Sequence, residues 1–123
     1  MTSGNFKKIA NDSLQPKEFK FDKQNLNLAT GIIKMYPKQF IESSIMPLLT
    51  LAQNQNNGWL PKKAIEYVSN LINVPEIKVL EMATFYSMYN LSPVGQNHIE
   101  VCTTSPCMLR GADEVLSLFK SKL

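Results

Sequence analysis

The sequence predicts an α+β fold, in which a bundle of four helices precedes a strand, a cysteine-containing loop and a final helix. Three observations predict it. Between residues 22 and 83, apolar residues recur every three or four positions in four successive segments, which is the period of an amphipathic helix. Residues 98–102 alternate polar and apolar side chains, which is typical of a strand. Residues 113–120 return to the helical period.

The first helix is predicted over about residues 22–35, with Asp22 as its N-cap and Pro37 just beyond its end. For the second helix, Ser43 and Ser44 are the candidate caps, and Pro47 is tolerated because amides of the first turn lack partners within the helix. Asn56-Asn57-Gly58 ends this helix near Gln55.

The third and fourth helices are each preceded by a proline, Pro61 and Pro75, near the first helical position. The apolar stripes of the four helices predict one core that folds without metal. Its predicted members are Leu26, Ile33, Leu48, Leu49, Leu51, Ile65, Val68, Leu71, Ile77 and Leu80.

Residues 84–89 are rich in β-forming side chains, and Pro93-Val94-Gly95 is turn-like. We therefore expect an extended segment and a turn before the strand. Residues 1–21 show no steady period and contain Pro16, so we interpret them as a flexible arm, followed by a helical bundle over residues 22–90. One or two strands make too small a sheet to stand alone, so residues 91–123 must dock on the bundle or belong to a larger domain.

Composition excludes several classes of protein. The 123 residues are 44% hydrophobic and 19% charged, which is ordinary for one globular domain and unlike a disordered tail. The net charge is +3, and twelve of the thirteen basic residues are Lys, so nucleic acid is not supported as a partner. No apolar run reaches the roughly 20 residues that span a bilayer, and the N-terminus lacks a signal-peptide pattern. We therefore expect a cytoplasmic protein.

Cys102 and Cys107 are the residues most suited to chemistry. The intervening loop, Thr103-Thr104-Ser105-Pro106, offers hydroxyls, and a helix is predicted just after Cys107, where thiolates would be stabilised. Four intervening residues suit the first two ligands of a [2Fe-2S] cluster, are uncommon in zinc ribbons, and differ from the two of thioredoxin-type dithiols. Incidental thiols, a metal or cluster half-site and a redox pair all remain open at this point.

His98 lies four residues before Cys102, so in a strand the two side chains share a face and His98 becomes a candidate third ligand. The polar neighbour Glu100 favours the alternative of a surface histidine. A winged-helix DNA-binding domain has a similar order of elements, but the third helix offers only Lys62 and Lys63, and the candidate wing at residues 93–97 has no basic residue. A helical interaction module without a cofactor is a further alternative.

Several stretches together resemble a known family. They are residues 48–55, Gly58-Trp59-Leu60-Pro61, residues 75–86, Pro93-Val94-Gly95 and the loop from Cys102 to Gly111. In this order they closely resemble the thioredoxin-like [2Fe-2S] subunits of respiratory complex I (NADH:quinone oxidoreductase), which in bacteria carry the letter E. Related subunits serve NAD-linked hydrogenases and formate dehydrogenases. The resemblance runs from about Phe21 to the end.

The resemblance implies that residues 91–123 are the first part of a thioredoxin-like domain, and that Cys102 and Cys107 are cofactor-binding and metal-ligating residues for one half of a [2Fe-2S] cluster. The family's second cysteine pair lies farther along than Leu123, so two ligands are missing and we expect a truncated form that is inactive by itself. The implied function is electron transfer from the flavin of the NADH-binding subunit. That subunit is the implied partner, with contact to the membrane only indirectly, on the cytoplasmic side of the bacterial inner membrane or the matrix side in an organelle.

Overall fold

The computed structural model describes residues 7–123, so the first six residues of the predicted flexible arm lie outside the described part of the chain. The helices are α1 (Lys23–Lys34), α2 (Ile45–Gln55), α3 (Lys62–Ile72), α4 (Glu76–Phe85), α5 (Ser105–Leu109) and α6 (Ala112–Lys122). Two 3-10 helices, Asp12–Leu14 and Lys38–Ser44, precede α1 and α2. Helices α1 to α4 pack into a bundle, and α5 packs against α6.

The predicted α+β class is wrong, because residues 7–123 contain helices and no strand. The segment His98–Cys102, predicted as a strand, forms no ladder with another segment of the described chain. Alternating polarity sets only the faces on which side chains lie, whereas a strand also needs a neighbour for its backbone hydrogen bonds. The extended segment predicted over residues 84–89 is also misplaced, since α4 continues to Phe85.

The helix boundaries follow local chemistry. Asp22 caps α1 as predicted, its carboxylate accepting a hydrogen bond from the backbone N–H of Asn25 at 2.7 Å. Ser44 occupies the N-cap position of α2 as predicted, but its side chain makes no capping hydrogen bond. Its hydroxyl donates instead to the carbonyl of Ile41 at 2.6 Å, within the preceding 3-10 helix. Beyond α2, Gly58 has a φ of +88°, and a Cβ there would lie 3.1 Å from the Val94 side chain. Glycine therefore serves both the turn and this close approach.

The bundle core is built largely from the predicted stripes. Leu48, Leu49, Ile65 and Val68 are buried, and Ile33, Leu51, Leu71 and Leu80 pack partly buried against them. Ile77 is a wrong prediction, being 60% exposed. Helix α4 buries Val79 and Ala83, four residues apart on one face, and Ile77 lies two residues before Val79, on the opposite face. Leu26, in the first turn of α1, is 40% exposed and is the other wrong prediction.

Amide side chains join α2 to the segment after α4. The Gln53 side chain accepts a hydrogen bond from the Asn90 backbone N–H at 2.8 Å and donates to the Met88 carbonyl at 3.0 Å. Asn90 in turn donates to the Gly58 carbonyl at 3.0 Å, and its own carbonyl accepts from the Leu60 N–H at 2.7 Å. These bonds hold residues 88–91 against the bundle. They therefore determine the point on the bundle from which the chain continues toward the cysteines.

Tyr89, in the same region, is buried and forms a hydrogen bond through its hydroxyl. Its side chain is 1% exposed, and its hydroxyl donates to the Met46 carbonyl at 2.9 Å. Burial raises the pKa of the Tyr89 phenol. The hydroxyl therefore stays protonated as a donor at neutral pH.

Replacing Tyr89 by Phe is expected to lower the free energy of unfolding by about 1 kcal/mol, because a part-buried hydrogen bond to the Met46 carbonyl is lost while the ring still fills its site. Chemical denaturation followed by circular dichroism measures the change. Tyr36→Phe, which removes a hydroxyl from a half-buried ring beyond α1, is the matched control. An equal loss in both variants would contradict a specific role for the hydrogen bond of Tyr89.

Residues 7–21 lie against the bundle at several points. The Lys7 ammonium donates to the carbonyls of Ala83 and Tyr86 at the end of α4, where a cation is favourable. The Ala10 N–H donates to the Leu91 carbonyl at 2.9 Å. Phe19 and Phe21 pack edge-on against Tyr67 with ring centroids 5.8 and 5.2 Å away. The flexibility of residues 1–21 remains a prediction. So does the division of the rest of the chain into one domain over residues 22–90 and another over residues 91–123.

Candidate dithiol site

Cys102 and Cys107 come together where an extended segment turns into α5. Cys102 is exposed in the segment before the helix, and Cys107 is the third residue of α5 and half-buried. The sequence placed Cys107 just before a helix, but α5 already begins at Ser105. Pro106 is the reason, since its fixed φ and missing N–H suit the first turn of a helix. The backbone N–H of Met108 donates to the Thr104 carbonyl at 2.8 Å and holds this turn closed.

The two thiols line one groove, and Thr104 lies beside Cys102. Its hydroxyl lies 3.1 Å from the Cys102 sulfur. Hydrogen bonds from the Thr104 hydroxyl, the Thr104 backbone and Cys107 lower the pKa of Cys102, because they stabilise its thiolate. The same thiol–thiol bond raises the pKa of Cys107, which must keep its proton to donate it.

A shallow groove of about 510 Å³ adjoins the thiols. Val115 and Phe119 of α6 supply an apolar wall, while Glu100 and Arg110 provide one charge of each sign. Gly111, with a φ of +99°, makes the turn that brings α6 back toward the cysteines. The apolar side of α6 was visible in the sequence, but its position beside the thiols depends on this turn.

His98 does not join the cysteines. Its Nδ1 atom lies 3.7 Å from the Glu100 carboxylate, and both side chains are substantially exposed. Within residues 7–123, no three His, Cys, Asp or Glu side chains come together in a way that could hold a metal ion. The candidate site within this part of the chain is thus a pair of thiols, without a third ligand.

The role of Thr104 is tested by Thr104→Val, which keeps the shape of the side chain and removes the hydroxyl. The pKa of Cys102 is expected to rise, since its thiolate loses a donor. Alkylation of Cys102 in the metal-free chain should therefore become several-fold slower at neutral pH, and its pH profile should move to higher pH. Iodoacetamide labelling read by peptide mass spectrometry measures this. Thr103→Val is the matched control, and an equal slowing in that variant would contradict the assignment to Thr104.

Among residues 7–123 there is no helix with the length and apolarity needed to cross a membrane.

Two adjacent thiols on a half-exposed turn, with one pKa lowered by a hydroxyl donor, define a thiolate site of the kind that binds a soft metal centre or undergoes redox chemistry. The chain belongs to the thioredoxin-like [2Fe-2S] ferredoxin family, whose model matches residues 29–123. This confirms the resemblance found in the sequence motifs.

Curated relatives share the sequence over most of the chain. The E subunit of NADH-quinone oxidoreductase from Rickettsia bellii (strain RML369-C) is 58% identical over 105 residues, which are 85% of this chain and 63% of the relative. The E 1 subunit of the same enzyme from Rhizobium meliloti (strain 1021) is 43% identical over 95% of this chain and 42% of its own length. The mitochondrial NADH dehydrogenase [ubiquinone] flavoprotein 2 of Dictyostelium discoideum is 40% identical over 91% of this chain and 45% of its own length. The chain thus spans less than two thirds of the length of each of these relatives.

Proposed function

We propose that this protein is the iron-sulfur electron-transfer subunit of an NADH:quinone oxidoreductase of the complex I type, and that Cys102 and Cys107 ligate one iron of its [2Fe-2S] cluster. The observation that carries the proposal is the adjacent thiol pair in a chain of the [2Fe-2S] ferredoxin family. Relatives named as NADH-quinone oxidoreductase and NADH dehydrogenase subunits support the choice of enzyme. A subunit of an NAD-linked hydrogenase or formate dehydrogenase remains the alternative within the same class.

The donor set fits half of such a cluster. Iron-sulfur clusters are usually held by four thiolates, two on each iron. Cys102 and Cys107 supply two soft ligands that line one groove, and the Thr104 hydroxyl favours the thiolate of Cys102. The chain contains two cysteines, so the other two ligands must come from outside these 123 residues.

When bound, a [2Fe-2S] cluster supplies one-electron transfer. The residues described here provide its environment. Thr104 is positioned to donate a hydrogen bond to the Cys102 sulfur, which raises the reduction potential of a thiolate-ligated iron by stabilising negative charge. Val115 and Phe119 line the groove beside the thiols and would give a bound cluster an apolar neighbour. No proton or hydride transfer is assigned to this chain.

The proposed test is anaerobic reconstitution of the chain extended through the family's second cysteine pair, followed by iron and sulfide analysis and EPR spectroscopy of the dithionite-reduced protein. A reduced [2Fe-2S] signal with two irons and two sulfides per chain supports the proposal. A spectroscopically silent protein that binds no iron contradicts it.

The proposed partner is the subunit that binds flavin and NADH, whose reduced flavin would donate electrons one at a time. The support is a set of exposed apolar side chains on α4 and just beyond it. Phe85 is 81% exposed at the end of α4, Ile77 is 60% exposed on the same helix, and Met88 is 48% exposed just beyond it. A groove of about 610 Å³ lined by residues 81, 82 and 84–86 lies beside Phe85. Exposed apolar surface of this kind is typical of a protein–protein interface.

Phe85→Ser is expected to weaken binding to the flavin subunit at least tenfold while leaving the stability of the bundle within about 0.5 kcal/mol of wild type, because the ring is mostly exposed. Titration of the two purified subunits by calorimetry measures the affinity. Leu28→Ser, which removes a 52% exposed apolar side chain from α1, is the matched control. Equal affinities for wild type and Phe85→Ser would contradict the placement of α4 in the interface.

The proposed location follows from the same assignment. A subunit that receives electrons from a flavin and NADH-binding partner belongs to the peripheral arm of the complex, attached to the membrane through other subunits. In a bacterium this arm faces the cytoplasm, and in an organelle it faces the matrix. Fractionation of cells that express the tagged full-length protein tests this location. We expect the protein to sediment with membranes, and to stop doing so when the complex is dissociated.

A further inference from the structure

The cysteine pair has the arrangement of a reactive thiol and a resolving thiol. Neither forms a disulfide in the structure, and the two differ in exposure: Cys102 is exposed, whereas Cys107 is half-buried in α5. Both cysteines line the same groove. The turn that holds them is closed by the bond from the Met108 N–H to the Thr104 carbonyl and by the bond from the Arg110 N–H to the Cys107 carbonyl, at 2.8 and 3.1 Å.

We propose that these two residues form a thiol–disulfide modification site, at which a low-molecular-weight disulfide reacts with Cys102 and Cys107 then closes an intramolecular disulfide. The groove beside the thiols supports this choice of reactant. Its volume of about 510 Å³ admits a small peptide disulfide, and the groove is open to solvent on the side of Cys102. Glu100 and Arg110 offer one charge of each sign to a zwitterionic peptide.

The reaction has two steps, each a thiol–disulfide exchange. The Cys102 thiolate attacks one sulfur of the small disulfide, which forms a mixed disulfide and releases one small thiolate. Cys107 then loses its proton to solvent, its sulfur attacks the Cys102 sulfur, and the second small thiolate leaves. The cysteine pair is oxidised by two electrons, and one small disulfide is reduced to two thiols.

The order of the two cysteines follows from their positions. A small disulfide approaching from solvent meets Cys102 first, because that side chain is exposed in the segment before α5. Cys107 lines the same groove as Cys102, and both residues lie outside α1 to α4, so the second step needs no displacement of the bundle. The cysteines lie on α5 and the segment before it, outside the helices of the bundle core.

A disulfide between Cys102 and Cys107 and ligation of a metal by the same two residues exclude each other, because each requires both sulfur atoms. The modification would therefore keep an unloaded chain from binding iron until a thiol reductant reopens the pair. The inference rests on the shared groove and the exposure of the cysteines and holds whether or not they ligate a cluster.

The experiment treats the 123-residue chain, kept metal-free with a chelator, with oxidised glutathione, and follows it by intact mass spectrometry and thiol titration. We expect the mass to fall by two hydrogen atoms, with loss of both titratable thiols and full recovery on addition of dithiothreitol. Cys107→Ser should stop at a stable adduct of one glutathione on Cys102. Cys102→Ser should acquire its adduct more slowly, through the less exposed Cys107.

Three results would overturn the proposal. They are a wild-type chain that stays at the mixed-disulfide stage, a wild-type chain that forms only intermolecular dimers on a non-reducing gel, and Cys102→Ser reacting as fast as Cys107→Ser. Far-UV circular dichroism of each variant shows whether the bundle is intact. Cluster content is measured separately, in the chain extended through the family's second cysteine pair, so that failure of this inference is distinguishable from failure of cluster ligation.

Discussion

Cys102→Ser or Cys107→Ser, each made in the chain extended through the family's second cysteine pair, is expected to abolish stable binding of a [2Fe-2S] cluster. Serine keeps the size of the side chain but replaces a soft thiolate by an alcohol that stays protonated at neutral pH, so one iron loses a ligand. Iron and sulfide per chain should fall from about two each to near zero after reconstitution and gel filtration. The reduced EPR signal should disappear with them.

The matched control is Thr103→Ser, which alters the same loop and leaves both thiols in place. Full cluster content in this variant, and none in the two cysteine variants, would identify the ligands. A cysteine variant that retained a stable cluster at wild-type stoichiometry would refute the assignment of that residue. The 123-residue chain provides a second comparison: with two cysteines and one histidine, as a monomer it is expected to hold no stoichiometric cluster.

Leu49→Ala is expected to lower the free energy of unfolding by about 2 to 5 kcal/mol, since the substitution removes buried methyl groups and leaves a cavity in the bundle. Leu49 lies on the buried face of α2 with no exposed surface, and Ile45, Leu48 and Ala52 of the same helix are buried with it. Guanidinium denaturation of the metal-free chain, followed by far-UV circular dichroism, measures the loss.

Leu28→Ala is the matched control, because it makes the same chemical change on α1 at a side chain that is 52% exposed. Its effect should stay within about 0.5 kcal/mol. Similar losses in both variants would show that Leu49 is not in a close-packed core. The same measurement tests whether the bundle folds without metal, as its self-contained core implies. A metal-free chain with less than about a quarter helix would contradict that expectation.

The sequence by itself determined the four helices of the bundle and most of their buried faces. Each rests on a local physical signal: the three-and-four period, the Asp22 cap and the prolines before α3 and α4. It also located the thiol pair, because Cys102 and Cys107 are the two cysteines of the chain. The order of several short motifs indicated the family of the chain, and the model of that family matches residues 29–123.

The tertiary structure decided the features that depend on contacts between one segment of the chain and another. Alternation over residues 98–102 predicted a strand, but a strand exists only where another backbone completes its hydrogen bonds, and none does within residues 7–123. Ile77 matched an apolar stripe, yet the packing of α4 through Val79 and Ala83 left it exposed. The contact of Cys102 with Thr104, and the position of both thiols on one groove, likewise arose from the turn into α5, whose geometry the spacing of the cysteines alone does not specify.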